Sequence, residues 1–212
     1  MALANLGELR TAVLGLRTDM AARFAAEMMP IAEQRIFYGD GLPPNAVPPL
    51  RVLPMELTDD LSFTDGSATL PGDFLDKRAI YWEADPDPLG YEPPATFYSS
   101  WRERQGCPRP MAYTIEGEVV KLAPSLSGNA KLLYYARPAA MQEDEDTNVI
   151  LSKWPGVYLF SLQMELFRIL RNDGELAKVR QFYADAVGAA NRQALVARTL
   201  GGPLKRRVGF GI

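Results

Sequence analysis

The chain has 212 residues, 47% of them hydrophobic and 23% charged, with a formal net charge of −3. That composition belongs to a folded globular protein and excludes wholesale disorder or a fibrous chain. It contains no histidine and one cysteine, Cys107, which excludes Ser-His-Asp and Cys-His triads, histidine-ligated zinc and an internal disulfide framework. The longest apolar run, Trp154 to Met164, contains Pro155 and falls short of the roughly 18–20 residues of a membrane span. Met1–Arg10 has an apolar/polar period and no basic start, which predicts no secretion signal. The acidic surplus argues against a general nucleic-acid binder. The expectation is a soluble, cytoplasmic, non-metallic protein.

Twelve of the 17 prolines fall between Pro43 and Pro110, so the chain reads as a helical part, a turn-rich middle and a second helical part. Leu3, Leu6, Leu9, Val13 and Leu16 recur at steps of three and four, the stripe of an amphipathic helix. Thr18 and Asp19 are candidate caps for a second helix with Phe24, Met28 and Ile31 on one face. Pro30 lacks an N–H and should kink or restart that helix, which continues through Ala32–Ile36 to Tyr38 and ends at Gly39-Asp40-Gly41.

The middle changes period. Met111, Tyr113 and Ile115 alternate with Ala112, Thr114 and Glu116, the repeat of a strand. Glu116-Gly117 turns the chain into Glu118–Ala123, a hairpin, and Ser127-Gly128-Asn129 turns it again into Lys131–Arg137. Ala68–Leu70 and Phe74–Trp82 read as further strands. Hairpins and alternation predict a small antiparallel sheet.

Helical signals then return. Asp144, Glu145 and Asp146 precede Val149, and acids suit the positive end of a helix dipole. Pro155 fits the first turn of the next helix. Val157–Leu170, with only Glu165 and Arg168 as charges, reads as a buried central helix. Asn172-Asp173-Gly174 breaks it. Leu176, Val179, Tyr183, Ala186, Val187 and Ala190 mark a long amphipathic helix that Gly201-Gly202-Pro203 stops. The reading is an α+β protein. Residues 1–41 and 146–200 form an antiparallel helical bundle, 42–145 a proline-rich loop and a small antiparallel β domain, and 201–212 an extended tail.

No residue set assembles a reaction. Asp59/Asp60 and Asp85/Asp87 have the look of paired acids, but they lie among prolines and turn residues and read as turn initiators. Glu143–Asp146 lacks the ordered spacing of a calcium loop and reads as a solvated, helix-capping stretch. Cys107 has no basic activator and reads as a spectator thiol. Gly39/Gly41 and Gly201/Gly202 match no phosphate-binding loop. Tyr113, Tyr134 and Tyr135 read as sheet core or interface aromatics. No metal or organic cofactor is expected, and the chain is not expected to be an enzyme. Lys205, Arg206 and Arg207 differ, because they are followed by Val208, Phe210 and Ile212. This tail is either a frayed end or a peptide that orders on docking to a partner.

The succession of short motifs resembles a family. It runs through Ala32-Glu33-Gln34-Arg35-Ile36, Leu70-Pro71-Gly72-Asp73-Phe74-Leu75 and Pro110-Met111-Ala112-Tyr113. Then come Leu122-Ala123-Pro124, Tyr134-Tyr135-Ala136-Arg137-Pro138, Thr147–Leu151 and Pro155–Phe160. In that order and spacing the chain is similar, over residues 30 to 195, to the bacteriophage head-to-tail adaptor proteins. The resemblance implies a non-enzymatic ring of copies, typically twelve-fold, in the virion beneath the portal. It implies the portal protein and a tail protein (nozzle, stopper or tube) as partners, with DNA passing through the channel without tight binding and no membrane involved. Synthesis would be in the bacterial host cytoplasm. On that reading the helical part faces the portal, the β part faces the tail, and Lys205–Ile212 is a portal-docking tail. An interaction module of another oligomeric bacterial complex and a small hydrolase using Asp and Ser are the alternatives that composition leaves.

Overall fold

The computed structural model describes residues 3–199 apart from 16, 42–45, 84 and 101–105, and its first helix begins where the sequence supplies a cap. The Asn5 side chain accepts the Glu8 N–H at 2.9 Å and starts α1 (Leu6–Leu14). Leu3, Leu6, Leu9 and Val13 are buried as their spacing predicts, and Leu16 lies outside the described residues. Asp19 does not cap the next helix. Its carboxylate pairs with Arg17 at 3.0 Å, Thr18–Met20 makes a 3-10 turn, and α2 (Ala21–Arg23) begins without a side-chain cap.

A π-helical turn, Phe24–Met28, separates α2 from α3 (Met29–Tyr38), and Pro30 sits in the first turn of α3. The wider turn falls just before the residue that cannot donate, so the helix restarts instead of breaking. It also advances the buried face. Ile31, expected beside Phe24 and Met28, is 39% exposed, and the face continues through Met29, Ala32, Ile36 and Phe37.

The described residues divide into two units. One is drawn from residues up to Leu53 and from Ala139 onward; the other is Pro54–Pro138. In the first, α5 (Val149–Lys153), α6 (Pro155–Ile169) and α7 (Asp173–Thr199) join α1 and α3, and α6 packs against α1, α3, α5 and α7. The acids before Val149 serve α1, not α5. The Asp146 and Asp144 carbonyls accept the Leu6 and Gly7 N–H groups at 2.8 and 2.9 Å, and Asp144 pairs with Arg10 at 2.6 Å. Asn148 caps α5 by accepting from Ile150 and Leu151, both at 3.0 Å. Asn172 caps α7 by accepting the Glu175 N–H at 3.2 Å, so Gly174 lies inside the first turn of α7 and the break falls before Asp173.

The second unit holds two sheets. One has the order β1-β7-β3, with β1 (Glu56–Phe63) and β3 (Phe74–Trp82) both antiparallel to β7 (Gly128–Ala136). The other, β2-β6-β5-β4, has β2 (Ser67–Thr69), β6 (Val119–Ala123), β5 (Ala112–Glu116) and the two-residue β4 (Gly90–Tyr91). β4 runs parallel to β5, so this second sheet is mixed where an antiparallel one is expected. Alternate residues from both sheets, among them Leu61, Phe63, Ile80, Trp82, Leu122 and Leu132, fill one core. A short helix, α4 (Pro94–Ser99), lies against β5. Among the described residues, no helix is long and apolar enough to cross a membrane.

Gly39 closes α3 at φ 90°, and a Cβ there would come within 2.9 Å of the Val47 carbonyl oxygen. Gly15 closes α1 at φ 58° with open space around it. Gly15→Ala should therefore cost only the strain of holding an L residue at φ 58° and ψ −121°, about 1–3 kcal/mol. Gly39→Ala should cost clearly more, because a backbone group must also move. Thermal denaturation of the two variants checks the order.

Burial lifts the phenol pKa of Tyr113 and Tyr134 to about 12, and it raises those of Tyr158 and Tyr183 too. The neutral form is thus favoured by the fold. Its contribution is complete below the ordinary tyrosine value of 10.0 and is lost as pH rises from there through the folded values. The Tyr183 hydroxyl is buried and has no hydrogen-bond partner among the described residues. Tyr183→Phe should raise stability by about 1 kcal/mol and move alkaline unfolding to higher pH, read by circular dichroism against pH.

Candidate docking surfaces

The helical unit buries a charge. Arg35 on α3 is 5% exposed, and its guanidinium donates to Glu165 of α6 and to the Ser161 carbonyl and hydroxyl oxygens at 3.2 and 3.3 Å. Its Nε donates to Asp40 at 3.3 Å. Glu165 is also reached by Arg168 at 3.5 Å, and Asp40 by Arg180 of α7 at 3.3 Å. Every carboxylate here is tied to a cation, the arrangement of a structural clamp rather than of a proton-transfer site. The sequence carried a signal for it, since Glu165 interrupts an otherwise apolar helix; its partner on α3 was missed.

Beside this clamp, residues 46–52 are held to the helices by backbone bonds. Val47 exchanges N–H···O bonds with Asp40 at 2.8 and 3.0 Å, and the Leu50 N–H donates to the Ile36 carbonyl at 2.8 Å. The Asn191 side chain acts as a surrogate strand, accepting the Arg51 N–H at 2.8 Å and donating to the Pro49 carbonyl at 3.1 Å. Val47, Leu50 and Val52 are buried, although the proline-rich sequence groups them with the β part. A cleft of about 350 Å³ opens between Ala46, Val47 and the Ala177, Arg180, Gln181 and Ala184 side of α7.

In the β unit, Asp59 and Asp60 lie in the middle of β1 and not in a turn. The turn expectation fails because an edge strand tolerates adjacent charges that a central strand excludes. Asp60 pairs with Lys131 at 3.1 Å, and the Asp59 carboxylate accepts the Asp60 N–H at 2.9 Å. Asp85 and Asp87 do occupy a turn: the Asp87 N–H donates to the Asp85 carboxylate at 3.1 Å, and Asp85 pairs with Arg109. Tyr113 and Tyr134 are buried in the core, and Tyr135 is buried with Arg78 near its ring. Tyr91, Tyr98 and Met111 are exposed, with the Lys77 ammonium 3.5 Å above the Tyr91 ring and Lys121 bonded to Glu116 and the Tyr98 hydroxyl. Cys107 is a partly buried free thiol.

Among the described residues, no group of three or more acids and cysteines is placed to hold a metal ion. Lys205, Arg206, Arg207, Val208, Phe210 and Ile212, and the glycine pair Gly201/Gly202, lie outside the described residues. Charge divides unevenly. Residues 54–138 carry 13 acidic and 8 basic residues, net −5, and the remainder carries 13 acidic and 15 basic, net +2.

Removing one partner of the buried pair strands the other in a dry site. Arg35→Met or Glu165→Leu alone should each destabilise the fold by about 3–5 kcal/mol, and the double variant should recover most of that loss. Urea unfolding of the three proteins measures the coupling directly.

The family model of the SU10 adaptor protein matches residues 4–207. No curated protein matches the chain. With nearly the whole chain covered, the protein belongs to the SU10 adaptor protein family.

Proposed function

We propose that this adaptor-family protein joins the head of a phage particle to its tail. Copies form a closed ring beneath the portal, bind a tail component on the opposite side, and leave a channel for DNA. The observation that carries the reading is the family match across residues 4–207. The ring, its twelve-fold order and the two partners come from the resemblance to head-to-tail adaptors.

The chemistry of the chain is compatible with that role. Ring formation uses a heterologous contact, in which two different surfaces of one chain meet on adjacent copies. A chain with an acidic unit and a basic remainder offers surfaces of opposite sign for it. A channel through which DNA slides favours few phosphate contacts, since each Lys or Arg pairing adds salt-dependent affinity. A net charge of −3 suits such a passive conduit.

Phage particles assembled without this chain should have filled heads and no attached tails, and supplying the protein should restore tail attachment. Electron microscopy of wild-type particles should place the chain as a symmetric ring at the head-tail junction. Tailed, infectious particles lacking the chain would overturn the proposal.

A further inference from the structure

β1 is an eight-residue strand that, among the described residues, pairs on one side alone, with β7. Its other edge therefore presents main-chain donors and acceptors. The Asp60 N–H bonds to the Asp59 carboxylate and so points away from the β7 ladder. By the alternation of an antiparallel pair, Thr58 and Ser62 point the same way. A long free edge invites strand addition, and charged residues along it limit which strands can enter.

The side chains on this edge are specific. Leu57 is 48% exposed, and Asp59 and Asp60 follow it, with no ion pair on Asp59 among the described residues. Two β1 edges from two copies cannot pair well, because these acids would face each other. A strand with cations opposite the acids and an apolar residue opposite Leu57 is what the edge selects.

One segment of this chain has that pattern. Lys205-Arg206-Arg207-Val208-Gly209-Phe210-Gly211-Ile212 begins with three cations and continues with apolar residues at every second position, the repeat of a strand with one apolar face. Laid antiparallel to β1 with Arg206 opposite Asp59, it places Lys205 opposite Asp60 and Val208 opposite Leu57. A single register satisfies all three.

We infer that residues 205–208 of one copy add as a strand to the free edge of β1 on a second copy, pairing Lys205 and Arg206 with Asp60 and Asp59. The occupant is the tail of a neighbouring molecule, recognised by main-chain bonding and by charge. The inference rests on the ring reading only in requiring that copies lie side by side. It gives the tail a seat within the ring, where the family resemblance implies the portal.

The test mixes two full-length proteins, both with Cys107→Ser, one carrying Leu57→Cys and the other Val208→Cys, and oxidises them. A disulfide-linked dimer of the two is expected. Its yield should fall about tenfold when Asp59→Lys and Asp60→Lys are added to the first protein, and return when Lys205→Asp and Arg206→Asp are added to the second. Circular dichroism melts of each variant confirm that it folds. A cross-link that ignores the charge reversal overturns the inference. A third protein carrying both Leu57→Cys and Val208→Cys is oxidised alongside: a cross-link that forms only within it, which would mean the tail seats on its own copy, overturns the inference, and so does no cross-link at all. Loss of portal binding on deletion of residues 204–212, with Asp59→Lys/Asp60→Lys harmless to assembly, would make the portal the seat. Particles that carry the ring without the cross-link defeat this inference and leave the adaptor reading standing; a cross-link by a protein absent from particles does the reverse.

Discussion

The buried guanidinium of Arg35 is the constraint from which much of the helical unit follows. A charge that is 5% exposed must have every donor met, and the partners that meet it come from three places in the sequence. Glu165 and Ser161 fix how α6 lies against α3, and Asp40 is drawn to the end of α3 by the Arg35 Nε. Because Asp40 is held, Gly39 must turn tightly enough to let Val47 bond back to it. That bond starts a chain of contacts through Leu50 to Ile36 and through Pro49 and Arg51 to Asn191 on α7. A buried ion pair adds little net stability over a well-packed apolar replacement. Its effect here is positional: it sets the course of a proline-rich segment that has little regular structure of its own.

In the β unit the same kind of control is exerted by charges at the surface. β3 is marked by register shifts near Phe74/Asp76 and Lys77/Ala79, and a bridge from Tyr81 to Pro88 covers part of its far side. Both devices discourage uncontrolled pairing. β1 has neither and relies on Asp59 and Asp60. Acids blunt an edge against neutral or acidic strands and do not blunt it against basic ones, so β1 is protected selectively.

Much of the α+β character was legible because alternation and helical spacing are local properties. Phe74–Trp82 and the hairpin across Gly117 follow from period two, and α6 and α7 from the 3.6-residue repeat and the proline at the start of α6. What failed were positions where a distant contact overrides local chemistry. By local chemistry Asp144 and Asp146 serve the next helix, but their carbonyls cap α1, more than 130 residues earlier in the chain. Gly128 reads as a turn residue, yet it opens β7 opposite Phe63, where a Cβ would lie 2.7 Å from the Trp82 ring. Ile31 was misplaced because periodicity assumes a constant turn, and the π turn before Pro30 shifts the phase. The turn-rich reading of the middle does not resolve α4, although proline is well suited to the first helical turn, where Pro94 sits. The resemblance to head-to-tail adaptors shows in the order of short motifs, consistent with the SU10 adaptor family match, whereas the Arg35–Glu165 clamp needs coordinates to pair its halves.

The Asp59–Asp60 pair shows how a surface can stay closed until the right partner arrives. In the free edge the Asp59 carboxylate accepts the N–H of its own neighbour, occupying a donor that an incoming strand would need. A neutral strand has to displace that bond and gains no charge interaction in return. A cationic side chain opposite Asp59 attracts the carboxylate itself, so the move that forms the ion pair also releases the N–H for main-chain bonding. The two steps favour each other, and the edge discriminates by sign before it discriminates by shape. On the proposed reading, in which copies lie side by side, that order matters: like edges repel, and the basic segment is admitted.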